Sequence, residues 1–358
     1  MEELHQRPYR PKWYSWRPTS AEQAIQAEKD VLRCINGYYQ QCEIAGLNTI
    51  FWDPTNPLWT DYDATVTLRK VPIFMLHGLG GGCALWVGIW RSLIDEGYAP
   101  YAVDLPGFAR SRAVPFTARS LDEVLSYFLS QLEEWITASG ITSPFILMGH
   151  SFGAYIATHL ATGDPQRVHN LILVDPWGIP DVNRKQQKTL LKSLPLLLQG
   201  LFSIMNSFPP LHLLRASGPW GPHLLPNWRP TLADGYRELI GDPHVLFDYI
   251  FHMNSGSPLG ERAFHRLMEG PACAKRPIEK EFEQLFAASQ HDLPIAFIYG
   301  QDTWMDISCA LRLQKRYKGL IRVFAIPGAG HNVFQDQPKL FFETLIRYLE
   351  QPQKGLGQ

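Results

Sequence analysis

Apolar and polar positions change period repeatedly along this chain. Short apolar runs, four to seven residues long, are each followed by a stretch in which apolar residues recur every three or four positions. PIFML (72–76) precedes a helical pattern near 85–95, APYAVD (99–104) one over 120–139, and PFILMG (144–149) one over 151–163; LILVD (171–175) then closes the first series. After a long gap the alternation resumes with PIAFIYG (294–300), a helical pattern near 307–317, IRVFAIP (321–327) and a closing helix near 338–350. Strand-length runs that alternate with helices predict an α/β fold, a mostly parallel sheet covered by helices on both faces. Two earlier runs, LNTIFWD and ATVTLRKV, alternate residue by residue, as antiparallel edge strands do.

Between residues 178 and 290 the alternation stops. A compact domain does not carry a structureless loop of that length, so this region reads as a helical cap inserted over the sheet. The chain then divides into an aromatic tail and first helix (1–45), a first core segment (46–177), the cap (178–290) and a second core segment (291–358).

Bulk properties narrow the function. The formal net charge of −1 over 358 residues, with basic residues scattered, argues against a nucleic-acid partner. Five cysteines stand far apart without C-x-x-C spacing, which suggests reduced thiols in an intracellular, cytoplasmic setting and no metal site. The first residues, MEELHQRPYRPKWYSW, lack an apolar segment of the secretory type. Residues 193–214 contain no charged side chain in 22 positions, a spanning length, but three prolines interrupt them. A buried or membrane-touching lid fits this stretch better than a membrane span.

The candidate chemistry begins in FILMGHSFGAY (145–155), where Gly149, His150, Ser151, Phe152 and Gly153 fit G-x-S-x-G. That turn lifts a serine hydroxyl out of a strand-to-helix corner, and its glycines admit close backbone approach. The pentapeptide occurs by chance roughly 0.1 times in a chain of this size, so its surroundings must support it. They do so at three places. Ser151 follows a predicted strand and opens a predicted helix. LHGLGGG (76–82) ends the first long strand and offers backbone amides, of which the Leu79 N–H pairs with the Phe152 N–H as an oxyanion hole. This loop lacks the Lys-Ser/Thr ending and the glycine register of a phosphate cradle. PGAGHNVFQDQP (327–338) sets His331 just after the last predicted strand, where a general base would take the Ser151 proton. For the acid, YGQDTWMD (299–306) supplies Asp302 and Asp306, either of which preserves the chain order Ser…Asp…His. The common acid position in this turn, three residues after the glycine, is Thr303 here. No cofactor-binding motif is present.

With DLPGFARS (104–111) as the tight turn after the second predicted strand, these motifs resemble the α/β-hydrolase superfamily. YSWRPTS…AEKDVLRCI, GGGCALW, LILVDPWGIP, GERAFHRL…AKRPI and GAGHNVFQDQP are similar to one subfamily, which holds the lyso-N-acylphosphatidylethanolamine lipase and the coactivator of adipose triglyceride lipase. That resemblance spans nearly the whole chain and is weakest from 185 to 245. The coactivator branch carries Asn at the nucleophile and a functional Arg at the position of Asp302, so Ser151 and Asp302 point to the lipase branch. Both branches share an acid at the position of Asp306, which the resemblance therefore favours, whereas plant relatives place it at Thr303. His331 and Asp336 match the family's H-x4-D element, read as an acyltransferase signature.

The resemblance implies a serine lipase acting on acyl esters of glycerophospholipids or lysophospholipids, N-acylphosphatidylethanolamine-type substrates being favoured. Lysophosphatidic-acid acyl transfer, or a non-catalytic role beside another lipase, are the alternatives it leaves. The aromatics of Trp13, Tyr14 and Trp16 in a basic tail suit a membrane interface, and the subfamily's tryptophan-dependent attachment implies a peripheral protein of intracellular membranes or lipid droplets. The cap at 193–225 would line an acyl channel.

Overall fold

A computed structural model describes residues 19–52, 71–179, 209–228, 232–270, 273–287 and 292–351. Six strands precede the insertion: β1 (Gln40–Ile44), β2 (Leu47–Phe51), β3 (Ile73–Leu76), β4 (Pro100–Val103), β5 (Phe145–His150) and β6 (Val168–Val174). A small ribbon, β7 (Met268–Gly270) and β8 (Cys273–Ala274), lies inside it; β9 (Ile295–Gly300) and β10 (Ile321–Ile326) follow. The main sheet has eight strands in the order β1-β2-β4-β3-β5-β6-β9-β10. The pairings β1–β2 and β2–β4 are antiparallel, and the remaining five are parallel.

Two-sided burial explains the continuous apolar runs. Ile73, Met75, Ile146, Met148, Ile172 and Val174 pack on one face, with Val31, Ile94 and Leu345 from helices Ala21–Leu32, Val87–Asp95 and Pro338–Glu350. Phe74, Leu76, Leu147, Leu171 and Leu173 alternate with them and pack on the other face, against Phe128 and Ile156 from helices Leu121–Ala138 and Phe152–Gly163. A strand covered on both sides has no polar face to display.

Several expectations are adjusted. LNTIFWD forms β2, which is antiparallel but interior, because the polar strand β1 covers it at the edge. The run ATVTLRKV lies almost entirely outside the described residues. The pattern near 85–95 opens as a 3-10 turn over Cys83–Trp86 before its helix begins.

Between β6 and β9 the described residues form helices and the β7–β8 ribbon. Helix Leu259–Leu267 is pinned to the turn after β4, where the Gly260 N–H donates to the Gly107 carbonyl at 3.0 Å. A Cβ at Gly107 would fall 2.7 Å from the Gly260 nitrogen, so that contact requires glycine.

Helix Ala21–Leu32, capped by Ser20, is anchored through a charge it buries. Glu28 is fully buried and pairs with Arg110, while the Asn48 carboxamide bridges Glu28 (3.0 Å) and Asp104 (2.7 Å). Burial and the neighbouring Asp104 push the Glu28 carboxyl up from its ordinary value, and burial does the same to Asp104.

Candidate active site

Ser151 sits where β5 becomes helix Phe152–Gly163, with φ 53° and ψ −115°, a region that side chains with a Cβ rarely adopt. Its surroundings hold it there. The Ser151 N–H extends the ladder to the Val174 carbonyl at 2.9 Å, and its carbonyl accepts from Ala154, Tyr155 and Trp177. A Cβ on Gly149 would lie 2.4 Å from the Gly153 oxygen, and one on Gly153 would lie 2.3 Å from the Leu76 oxygen. Both flanking glycines are therefore steric necessities of this corner, as the pentapeptide implies.

The loop after β10 brings His331 to the serine. Its Nε2 lies 3.0 Å from Ser151 Oγ, and its Nδ1 lies 2.5 Å from Asp175 Oδ2. With Nδ1–H donated to the carboxylate, Nε2 carries the free lone pair and can accept the serine proton. Asp336 braces this loop by accepting the Gly330 N–H at 2.8 Å. The His150 ring, 4.9 Å from the His331 ring between centroids, donates from Nε2 to the His331 carbonyl at 2.9 Å. Trp304, more than half exposed, sets its ring 5.2 Å from the imidazole between centroids.

The acid position differs from the expectation. Neither Asp302 nor Asp306 reaches the imidazole; Asp175, at the carboxyl end of β6, does. Asp302 is exposed, and only its backbone N–H enters the site's framework, donating to Ala329 at 2.9 Å. Asp306 spends its carboxylate on Ser308, at 2.8 Å to N and 3.0 Å to Oγ, where helix Ser308–Arg316 begins. Asp175 is fully buried with φ 42°, and two groups of the β9 turn face it. The Gly300 N–H lies 3.3 Å from Oδ1, and the Thr303 hydroxyl donates to Oδ2 at 2.6 Å. Thr303 thus stands at the ordinary acid position as a donor to an acid supplied by the adjacent strand. The signal in the sequence was an aspartate closing the apolar run LILV. What hid it was strand order, since only the sheet sets β6 between the serine strand and β9.

The glycine-rich loop after β3 lies against the nucleophile; a Cβ on Gly78 would meet Ser151 Cβ at 2.9 Å. Neither the Leu79 nor the Phe152 N–H has a hydrogen-bond acceptor among the described residues. His77 sets the orientation of the first. The Leu105 N–H donates to His77 Nε2 at 2.9 Å, so Nδ1 carries the proton and donates to the Gly78 carbonyl at 2.7 Å. Gly78 C=O and Leu79 N–H share one planar trans peptide, so fixing the oxygen on one side turns the N–H to the other. Burial lowers the His77 pKa to about 4, which keeps the ring neutral near pH 7 and this tautomer available.

Beside these groups opens a cavity of about 510 Å³, with Gly78–Gly81, His150 and His331 on the core side. Leu211, Leu213, Leu214, Leu225, Leu232 and Ile250 of the insertion form its other wall. Of the uncharged stretch 193–214, residues 209–214 are described, and they contribute Pro210 and three of these leucines; 193–208 lie outside the described residues. Trp13, Tyr14 and Trp16 also lie outside them. No helix among the described residues is long and apolar enough to cross a membrane.

Glu28, Cys83 and Asp104 bring potential metal-ligand atoms within 4.8 Å of one another. Their hydrogen-bonding capacity is already engaged: Asp104 accepts the Cys83 N–H at 2.6 Å and the Arg110 N–H at 3.1 Å, and Glu28 holds the Arg110 guanidinium. Burial pushes the Cys83 thiol well above its ordinary value, so it stays protonated, a poor ligand form.

Comparison with known proteins gives the family and the fold. The alpha/beta hydrolase family model matches residues 73–344. Over 324 residues, 90% of each chain, the protein is 34% identical to the human (Lyso)-N-acylphosphatidylethanolamine lipase. It is 33% identical to the pig 1-acylglycerol-3-phosphate O-acyltransferase ABHD5, across 90% of this chain and 88% of that one. Among solved structures, a bromoperoxidase from Bacillus anthracis superposes with a TM-score of 0.58 at 15% identity, covering 87% of this chain and 100% of the other. A bacterial membrane phospholipase A gives 0.57 at 15% identity, covering 92% and 91%. At those identities the structural likeness bears on the fold.

Proposed function

The chain belongs to the alpha/beta hydrolase family, and from that premise we propose that it is a serine lipase cleaving acyl esters of glycerophospholipids or lysophospholipids, N-acylphosphatidylethanolamine-type lipids foremost. The observation that carries this reading is the unbroken contact series Ser151–His331–Asp175 beneath an aliphatic cavity. His331 Nε2 takes the Ser151 proton as Oγ bonds to the ester carbon, and the carbonyl electrons move onto oxygen. The Leu79 and Phe152 N–H groups receive that oxyanion, and Asp175 stabilises the imidazolium. Collapse breaks the ester C–O bond, His331 returns the proton to the leaving alcohol, and water repeats the sequence on the acyl-serine. The leucine wall supports a long acyl chain as the acyl group, because aliphatic surface leaves no polar group unpaired against it.

The pig relative's acyltransferase name favours a second use of the same intermediate, in which a lysophospholipid hydroxyl replaces water. Asp336 would serve it only indirectly, since it bonds the loop that carries His331. We assign substrate delivery to peripheral membrane contact through Trp13, Tyr14 and Trp16, and we read 178–290 as the lid. An intact serine makes a purely non-catalytic role beside another lipase the less economical reading.

Ser151→Ala is expected to keep the folded state and lose both fluorophosphonate labelling and turnover across a panel of N-acylphosphatidylethanolamine, its lyso form and other lysophospholipids. Labelling that persists in this variant would remove Ser151 as nucleophile. Acyl transfer is tested by adding lysophosphatidic acid and following phosphatidic acid against free fatty acid.

A further inference from the structure

The oxyanion loop is braced from two sides, and the second brace comes from the insertion. Helix His244–Ser255 contacts the glycine loop at Gly80 and Gly82. Tyr249 places its hydroxyl 2.2 Å from where a Cβ on Gly82 would stand, and Ile250 lines the cavity beside Gly80 and Gly81. One turn on, Asn254, 6% exposed, donates from Nδ2 to the Gly80 carbonyl at 2.9 Å and to the Ile250 carbonyl at 2.7 Å.

The bond to Gly80 is more than an anchor because of what shares its peptide. Gly80 C=O and Gly81 N–H belong to one planar unit, and the Gly81 N–H donates to the Gly78 carbonyl at 3.1 Å. Gly78 C=O belongs in turn to the unit that ends in the Leu79 N–H. The hydrogen bonds therefore run in one direction: Asn254 carboxamide, Gly80–Gly81 peptide, Gly78–Leu79 peptide, oxyanion. Each bond in such a series polarises the next. Gly80 has φ +74°, so the reversal that lines up the two peptides is open to glycine at low cost.

Asn254 is itself tied to the cavity wall. Its backbone carbonyl accepts from Arg215 Nη1 at 3.2 Å; Arg215 forms a buried ion pair with Glu261, and Glu261 accepts the Leu211 N–H. Leu211 and Leu214, both within the four residues before Arg215, line the cavity. The same residue therefore meets the cavity-wall ion pair through its backbone carbonyl and the glycine loop through its carboxamide.

We infer that Asn254 is a positioning residue for the Leu79 oxyanion donor, through which the seating of the insertion controls transition-state stabilisation. The inference rests on the serine-hydrolase reading. Its distinguishing mark is that Asn254 acts on kcat and on affinity for oxyanion mimics, and leaves ground-state affinity alone.

The test uses the full chain, a short soluble p-nitrophenyl ester, and Asn254→Leu, Asn254→Asp and Asn254→Ser. Loss of a direct oxyanion donor lowers kcat about 10²–10³-fold, so loss of its brace is expected to lower kcat about tenfold with KM changed less than about twofold. Affinity for a trifluoromethyl ketone, whose adduct with serine presents an oxyanion, should fall in step with kcat, whereas inhibition by a neutral fatty alcohol should not change. Asn254→Ser, which keeps a donor, should retain more activity than Asn254→Leu at equal melting temperature. A rise in KM alone, an unchanged kcat, or ketone and alcohol affinities falling together would overturn the inference; if Asn254→Leu does not fold, Asn254→Ser and Asn254→Asp decide by the same ratios. Wild-type protein that neither labels with fluorophosphonate nor hydrolyses the ester would sink the hydrolase reading, and this inference with it.

Discussion

The turn after β6 carries one carboxylate and the turn after β9 carries two, yet the single one reaches His331. Asp302 and Asp306 lie in a partly solvated turn, where a carboxylate can be satisfied by water or by the nearest backbone; Asp306 takes Ser308 and Asp302 faces outward. Asp175 has no such outlet. It is fully buried at a strand end, and its oxygens meet the Gly300 amide, the Thr303 hydroxyl and the imidazole. A buried charge must be paired and hydrogen-bonded to persist. The comparison teaches that the carboxylate meeting the imidazole is the one denied local satisfaction, and that the other turn supplies its hydroxyl donor.

Five substitutions can break or refine that contrast. Asp175→Asn should produce the largest effect, a loss of about 10⁴-fold in kcat with the fold retained, because the imidazole loses both its enforced tautomer and its counter-charge. Steady-state kinetics with a melting curve checks it, and a loss below tenfold would return the acid to the β9 turn. Adding Thr303→Asp to that variant should restore a measurable part of the activity, since it moves the acid to the common position. Thr303→Val alone removes one hydrogen bond to a charged group, worth about 1.5–3 kcal/mol. The expected result is a fall of about tenfold in kcat at unchanged KM. Asp306→Ala should lower stability by about 1 kcal/mol through the loss of its bonds to Ser308, with kcat unaltered. Asp302→Asn, at an exposed side chain, should shift stability by no more than about 0.5 kcal/mol and leave turnover alone. A thermal melt and one ester assay settle both.

How far the site can be read in the chain follows from how local each requirement is. Ser151 is legible because its corner demands glycine at 149 and 153, a need expressed within five residues. His331 is legible because it follows the last strand within a Gly-Ala-Gly turn. The glycine loop at 78–82 is legible as a donor loop, but its aim depends on His77 from the core and Asn254 from far along the chain. Asp175 closes a run that reads as a strand, and nothing adjacent to it marks it as an acid.

The sequence by itself determined the layered α/β architecture and the pairing of a serine corner with a late histidine, because hydrophobic period and glycine sterics act over a few residues. Only the tertiary structure decided which carboxylate completes the site and what holds the oxyanion loop. Those depend on which strand lies next to β5, and on which helix of the insertion rests on residues 78–82. Adjacency of that kind comes from packing the whole sheet, and no local pattern encodes it.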